Sequence, residues 1–185
     1  LSYHRFRESI YLADTEGNGI EIYRDRKRSE WPMKNGRLQM NSLPLDLQGL
    51  LGELNGRTAT WDGLPAGTQM GHIHLHIRDV DEAEAFYCDI LGFDRIMRYG
   101  PSAGFISAGG YHHHIGLNTW AGRGAPPPPA GAVGLRYYQL LLPSQEALTA
   151  VQARLEAHGI SFAAENGVLA LHDPSQNKIH LQIAA

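Results

Sequence analysis

Alternation of apolar and polar residues stands out first in Gly71-His72-Ile73-His74-Leu75-His76-Ile77, where every second residue is an imidazole. A period of two is that of a β-strand, so the pattern predicts a strand over 72–77 with His72, His74 and His76 on one face and Ile73, Leu75 and Ile77 on the other. The apolar face must pack on the helix predicted next, over 81–91, which Gly92 stops. Strands are expected over 94–98, 104–107 and 112–119. The last would put His112 and His114 on the face of Gly116 and Asn118, and His113 beside Ile115 and Leu117. After a Pro-rich loop over 125–131 the same order returns. A strand is expected over 135–142, then a helix capped by Ser144, with Leu148, Val151 and Leu155 at helical spacing until Gly159. Strands over 160–164, 168–171 and 179–183 follow. Residues 71–185 thus read as two βαβββ units in tandem.

The segment 9–23 has a different pattern, strand, turn and strand: 10–13, Asp14-Thr15-Glu16-Gly17-Asn18-Gly19, then 20–23. It predicts a hairpin. Its residues Leu12, Asp14, Asn18 and Ile20 recur at a constant offset as Leu171, Asp173, Asn177 and Ile179, which marks an internal repeat. The end of the unit is present twice and its beginning once, so the first unit is expected to lack its front half, whose strand would lie roughly 90 residues upstream of Leu1. Between the two copies, Trp31-Pro32, Leu43-Pro44 and Leu64-Pro65 leave room for one short helix over 46–54. The expected organisation is α+β: 1–31 as the C-terminal hairpin of a truncated first module, 32–70 as a connector, and 71–185 as a complete second module.

Composition narrows the function. Of the 185 residues 43% are hydrophobic and 19% charged, enough for one good core or two small ones. No run approaches the roughly 18 apolar residues of a membrane span, and the N-terminus lacks the pattern of a signal peptide. The formal net charge of −3, without a long basic stretch, argues against a nucleic-acid partner. The single cysteine, Cys88, forms no internal disulfide and fits a reducing cytoplasm. The unusual count is 10 histidines, six of them in two triplets. Any one alone reads as a solvated or hydrogen-bonded strand residue, but three on one strand face raise a metal site.

Three strings carry a resemblance: Gly17-Asn18-Gly19-Ile20-Glu21-Ile22-Tyr23-Arg24-Asp25-Arg26, Ser29-Glu30-Trp31, and Gly109-Gly110-Tyr111-His112-His113-His114-Ile115-Gly116-Leu117-Asn118-Thr119-Trp120. They resemble the vicinal oxygen chelate superfamily (glyoxalase, bleomycin resistance and extradiol dioxygenase proteins), nearest to its two-module bacterial catechol 2,3-dioxygenase branch. The resemblance implies paired βαβββ modules forming a half-open barrel, one complete here and one partial. It also implies a parent protein that opens a catechol ring beside its hydroxyls with O2, using non-haem Fe(II) held by two histidines and one glutamate. Carried over by residue, Glu21 is the carboxylate ligand, Tyr11 hydrogen-bonds a substrate oxygen, and His4 stands at an acid/base position. Both histidine ligands would lie in the missing front half. The implied partners are therefore a small aromatic diol, O2, and a missing N-terminal segment or another chain, with a homo-oligomer as a further option. The isolated chain is expected to be inactive.

From the residues alone the alternatives stay open: Glu21 as a solvent-facing strand residue, Tyr11 as a core-edge residue and His4 as a frayed terminus. In the second module, repeat matching sets His180 opposite Glu21, Ala170 opposite Tyr11 and Ala163 opposite His4, and Tyr137 stands where a ligand histidine is expected. A second extradiol centre is not expected there. His72, His114 and His180 nevertheless occupy three of the four ligand positions used across the superfamily, so they form a candidate second metal site, with Zn, Mn or Ni as alternatives to iron. The runner-up functions are a glyoxalase-like metal lyase or isomerase and a non-enzymatic module that binds a small molecule.

Overall fold

A computed structural model describes residues 2–4, 6–39, 42–58 and 60–184, with the side chains of all these except Ser2, Tyr3, His4 and Ser42. Contacts divide the α+β chain into two compact units, Leu1–Gln69 and Met70–Ala185. Among the described residues no helix is long and apolar enough to cross a membrane.

The first unit contains β1 (Ser2–His4), β2 (Arg7–Ala13), β3 (Gly19–Asp25), β4 (Met33–Lys34), β5 (Arg37–Leu38), β6 (Ser42–Leu43) and α1 (Leu47–Gly52). Strands β3, β2, β1 and β6 form one sheet in that order, and β4 pairs with β5. The hairpin between β2 and β3 exists because of Asp14. Its carboxylate accepts from the backbone N–H of Glu16 (2.9 Å) and Asn18 (2.8 Å) and from Asn18 Nδ2 (2.8 Å), closing the turn on itself. Helix α1 starts where Asp46 caps it by accepting from Gly49 N–H.

In the second unit the order is β7 (Ile73–His76), α2 (Val80–Glu84), β8 (Asp94–Tyr99), β9 (Ala103–Ser107), β10 (Ile115–Asn118), β11 (Tyr138–Leu142), α3 (Gln145–Ala157), β12 (Phe162–Glu165), β13 (Val168–His172) and β14 (Lys178–Ile183). Two sheets result, β7-β10-β9-β8 and β11-β14-β13-β12. In each, the first strand lies parallel to the last and the rest run antiparallel, so the βαβββ unit is built twice. The helix expected over 81–91 is α-helical only to Glu84, and Ala85–Ile90 widens to a π-turn in which Leu91 N–H bonds Phe86 C=O at 3.0 Å. This wider turn carries two consecutive buried rings, Phe86 and Tyr87.

The two sheets share one core. Leu75, Ile77, Val80, Phe86, Ile115 and Leu117 of the first repeat pack in one cluster with Leu148, Val151, Leu155, Leu171, Ile179 and Leu181 of the second. Polar contacts tie the same seam: Arg154 on α3 donates to the carbonyls of Ile90 (2.6 Å) and Leu91 (3.2 Å), covering the end of the first repeat's helix. At the centre the Tyr87 hydroxyl lies 2.5 Å from that of Tyr138 and donates to Asp173 at 2.9 Å. Burial pushes both phenols well above their ordinary pKa, and the neighbouring Asp173 carboxylate acts in the same direction.

Asp173 belongs to the second copy of the repeated hairpin. Its carboxylate accepts from Ser175 N–H (2.8 Å), Asn177 N–H (2.8 Å) and Asn177 Nδ2 (2.9 Å), as Asp14 does in the first copy. The strand registers agree as well, with Tyr11 opposite Glu21 and Ala170 opposite His180. The left-handed turn position is Gly17 (φ 84°) in one copy and Gln176 (φ 69°) in the other. The sequence repeat is thus one hairpin folded twice, exposed at Asp14 and buried at Asp173.

Candidate functional site

In the first unit the alternation of β2 and β3 places Arg7, Ser9 and Tyr11 on the same face as Glu21, Tyr23 and Asp25. Glu21 is not a solvent-facing strand residue: its carboxylate pairs with Arg7 at 3.0 Å, and the two side chains are only 9% and 5% exposed. The Arg7 guanidinium also lies over the Tyr23 ring, 5.0 Å from its centre. Tyr11 stands directly across the ladder from Glu21 and is half exposed. The side chain of His4 lies outside the described residues. Residues 1–69 contain one histidine, His4. Two imidazoles and a carboxylate therefore cannot all come from this unit.

In the second unit His72, His74 and His113 come together, each offering one nitrogen, with these atoms all within 4.8 Å of one another. The strand over 72–77 behaves as its alternation predicts, with Leu75 and Ile77 buried and His74 and His76 exposed. His74 has room because the residue beside it on β10 is Gly116; a Cβ there would meet the His74 ring at 2.6 Å. Its ring also stacks on Trp120, with centres 6.4 Å apart. His113 is fully buried, its Nδ1 3.1 Å from Nδ1 of His112 and its ring 5.0 Å from Phe105.

This grouping differs from the expected set of His72, His114 and His180. His114 is turned toward the loop behind it, where its Nδ1 accepts from Ala108 N–H at 3.2 Å and lies 3.1 Å from Ser107 Oγ. His180 stacks on Tyr137, with ring centres 4.1 Å apart and planes 18° from parallel. The physical reason lies in where β10 starts. It begins at Ile115, so 111–114 form a bent segment in which period-two alternation does not apply, and His113 leaves the core-facing position that the alternation assigned to it. The available signal was Gly116, a residue without a side chain beside the histidine strand.

The model of the Glyoxalase/Bleomycin resistance protein/Dioxygenase superfamily matches residues 69–181. The chain belongs to this superfamily. It is 49% identical over 173 residues to a protein named catechol-2,3-dioxygenase from Bacillus subtilis (strain 168), a match covering 92% of this chain and 60% of the relative. The chain thus spans less than two thirds of that relative's length. Among solved structures it resembles a glyoxalase/dioxygenase from Nostoc punctiforme, with 15% identity and a TM-score of 0.53 over 69% of this chain and 99% of the other. A glyoxylase/bleomycin resistance protein/dioxygenase domain from Frankia sp. EAN1pec is similar at 18% identity and a TM-score of 0.50, over 68% of this chain and 100% of the other. These structural likenesses show the superfamily fold of paired βαβββ units.

Proposed function

We propose that this chain is part of a non-haem Fe(II) extradiol dioxygenase that cleaves a catechol ring with O2, and that Glu21 is its carboxylate ligand. The reading rests on the 49% identity to a protein named catechol-2,3-dioxygenase. What carries it within the chain is the Glu21 carboxylate, almost buried and directly across the ladder from Tyr11. When bound, such an ion brings the diol and O2 together as neighbours, converting a three-body encounter into a local one. Arg7 pairs with the carboxylate and fixes its direction. Tyr11 orients a substrate hydroxyl by hydrogen bonding, and His4 serves as a proton-transfer group. The two imidazole ligands come, in this reading, from a segment outside this chain or from another chain. The lone Cys88 agrees with a reducing, cytoplasmic setting.

The test is the formation of the yellow ring-fission product from catechol with Fe(II) under air. The whole protein forms it, the Glu21→Gln variant loses at least about 100-fold in kcat/KM, and the isolated 185-residue chain forms none. Ring fission by the isolated chain, or full activity of Glu21→Gln in the whole protein, overturns the proposal.

A further inference from the structure

We propose that His72, His74 and His113 bind one divalent transition-metal ion of the Zn2+, Co2+ or Ni2+ class where β7 and β10 meet, a site separate in its ligands from Glu21. All three donors come from Met70–Ala185, so the site does not depend on the dioxygenase reading.

The donor chemistry selects the ion. Neutral imidazoles suit borderline cations such as Zn2+, Co2+ and Ni2+, whereas Mg2+ and Ca2+ need several oxygen ligands. The described group holds three histidines and no carboxylate. Geometry then sets how much must move. Nitrogens about 2.1 Å from one ion lie no more than about 4.2 Å apart. The three atoms lie within 4.8 Å of one another, so side-chain rotations that shift a ring by less than about 1 Å close the set.

The surroundings hold the rings near that arrangement. Gly116 leaves the space that the His74 ring occupies over β10, and Trp120 stacks on that ring. On the buried side Phe105 packs edge-on against both His74 (6.2 Å) and His113 (5.0 Å). His112 meets His113 through the Nδ1 atoms at 3.1 Å, the kind of outer contact that fixes the tautomer and direction of a ligating imidazole. Tyr111 in turn packs on His112 at 4.0 Å. The opposite side is open, because His72 is half-buried and His74 exposed, which provides an entry path and a place for water as a fourth ligand.

The experiment uses the tag-free chain stripped of metal and titrated with Zn2+ by calorimetry and with Co2+ by visible absorbance. One ion per chain is expected. His74→Ala weakens binding at least about tenfold, and so does Gly116→Ala, which removes no ligand but puts a methyl where the His74 ring lies. His180→Ala, which removes a ring stacked on Tyr137, leaves binding unchanged. His113→Ala removes a fully buried ring, so its fold is checked by circular dichroism, and His74→Ala and Gly116→Ala decide the outcome. Absence of binding at micromolar metal, binding that His74→Ala and Gly116→Ala leave intact, or binding lost in His180→Ala overturns the proposal. Because the readout is metal binding, its failure leaves the ring-cleavage reading to its own assay.

Discussion

Replacing Asp173 by Ala probes the joint between the two βαβββ repeats. The carboxylate is 1% exposed and accepts four hydrogen bonds, from Tyr87 Oη, Ser175 N, Asn177 N and Asn177 Nδ2. Ser175 and Asn177 are only partly buried, so their donors turn to water when the carboxylate is gone, at about 0.5 kcal/mol each. Tyr87 and Tyr138 are buried, and without Asp173 their paired hydroxyls can make one hydrogen bond between them while the second O–H has lost its acceptor, a cost of about 1–3 kcal/mol. The sum is about 3 kcal/mol, a large part of the 5–15 kcal/mol that holds a typical domain folded. Urea titration followed by circular dichroism reads it directly, and the matching fall in Tm is about 6–12 °C. Tyr87→Phe should cost less, because Asp173 keeps three of its four donors. Combining the two substitutions should give a coupling of about 1 kcal/mol or more. Asp14→Ala, in the exposed copy of the same turn, should have a smaller effect, since water reaches every group it leaves. A loss below about 1 kcal/mol for Asp173→Ala, or additivity with Tyr87→Phe, would refute the view that this buried chain of hydroxyls and carboxylate holds the repeats together.

Alkaline titration tests the same cluster: with the folded pKa of Tyr87 and Tyr138 raised, their contribution to stability is present below about pH 10 and is lost as pH rises further, so unfolding should accompany tyrosinate absorbance. Ionisation of both phenols in a still-folded unit would contradict this. Burial pushes the Cys88 thiol up to about 11, with Arg95 opposing, so at pH 8 it should react with a disulfide reagent about 100-fold more slowly than an ordinary cysteine, whereas the unfolded chain should react at the ordinary rate. Equal rates in the two states would show that the thiol is not shielded.

Local pattern was enough for much of this protein. Alternation in 72–77, helical spacing of Leu148, Val151 and Leu155, and the repeated Leu, Asp, Asn and Ile of two hairpins specify strands, helix and turns whose causes lie within a few residues, and these elements fold where the pattern puts them. Strings such as Gly109 to Trp120 were enough to place the chain in its superfamily. Which side chains meet was decided elsewhere. The parallel register that sets Gly116 beside His74 joins residues far apart in the chain, and so does the contact of Tyr87 with Tyr138 and Asp173. The bend that ends alternation before Ile115 depends on how the 108–114 loop closes on its own strand, through Ala108 and His114. Period and spacing determine a face only while a strand continues. Beyond its end, packing and long-range register choose the histidines that converge, which is why His113 takes a place that periodicity assigned to His114.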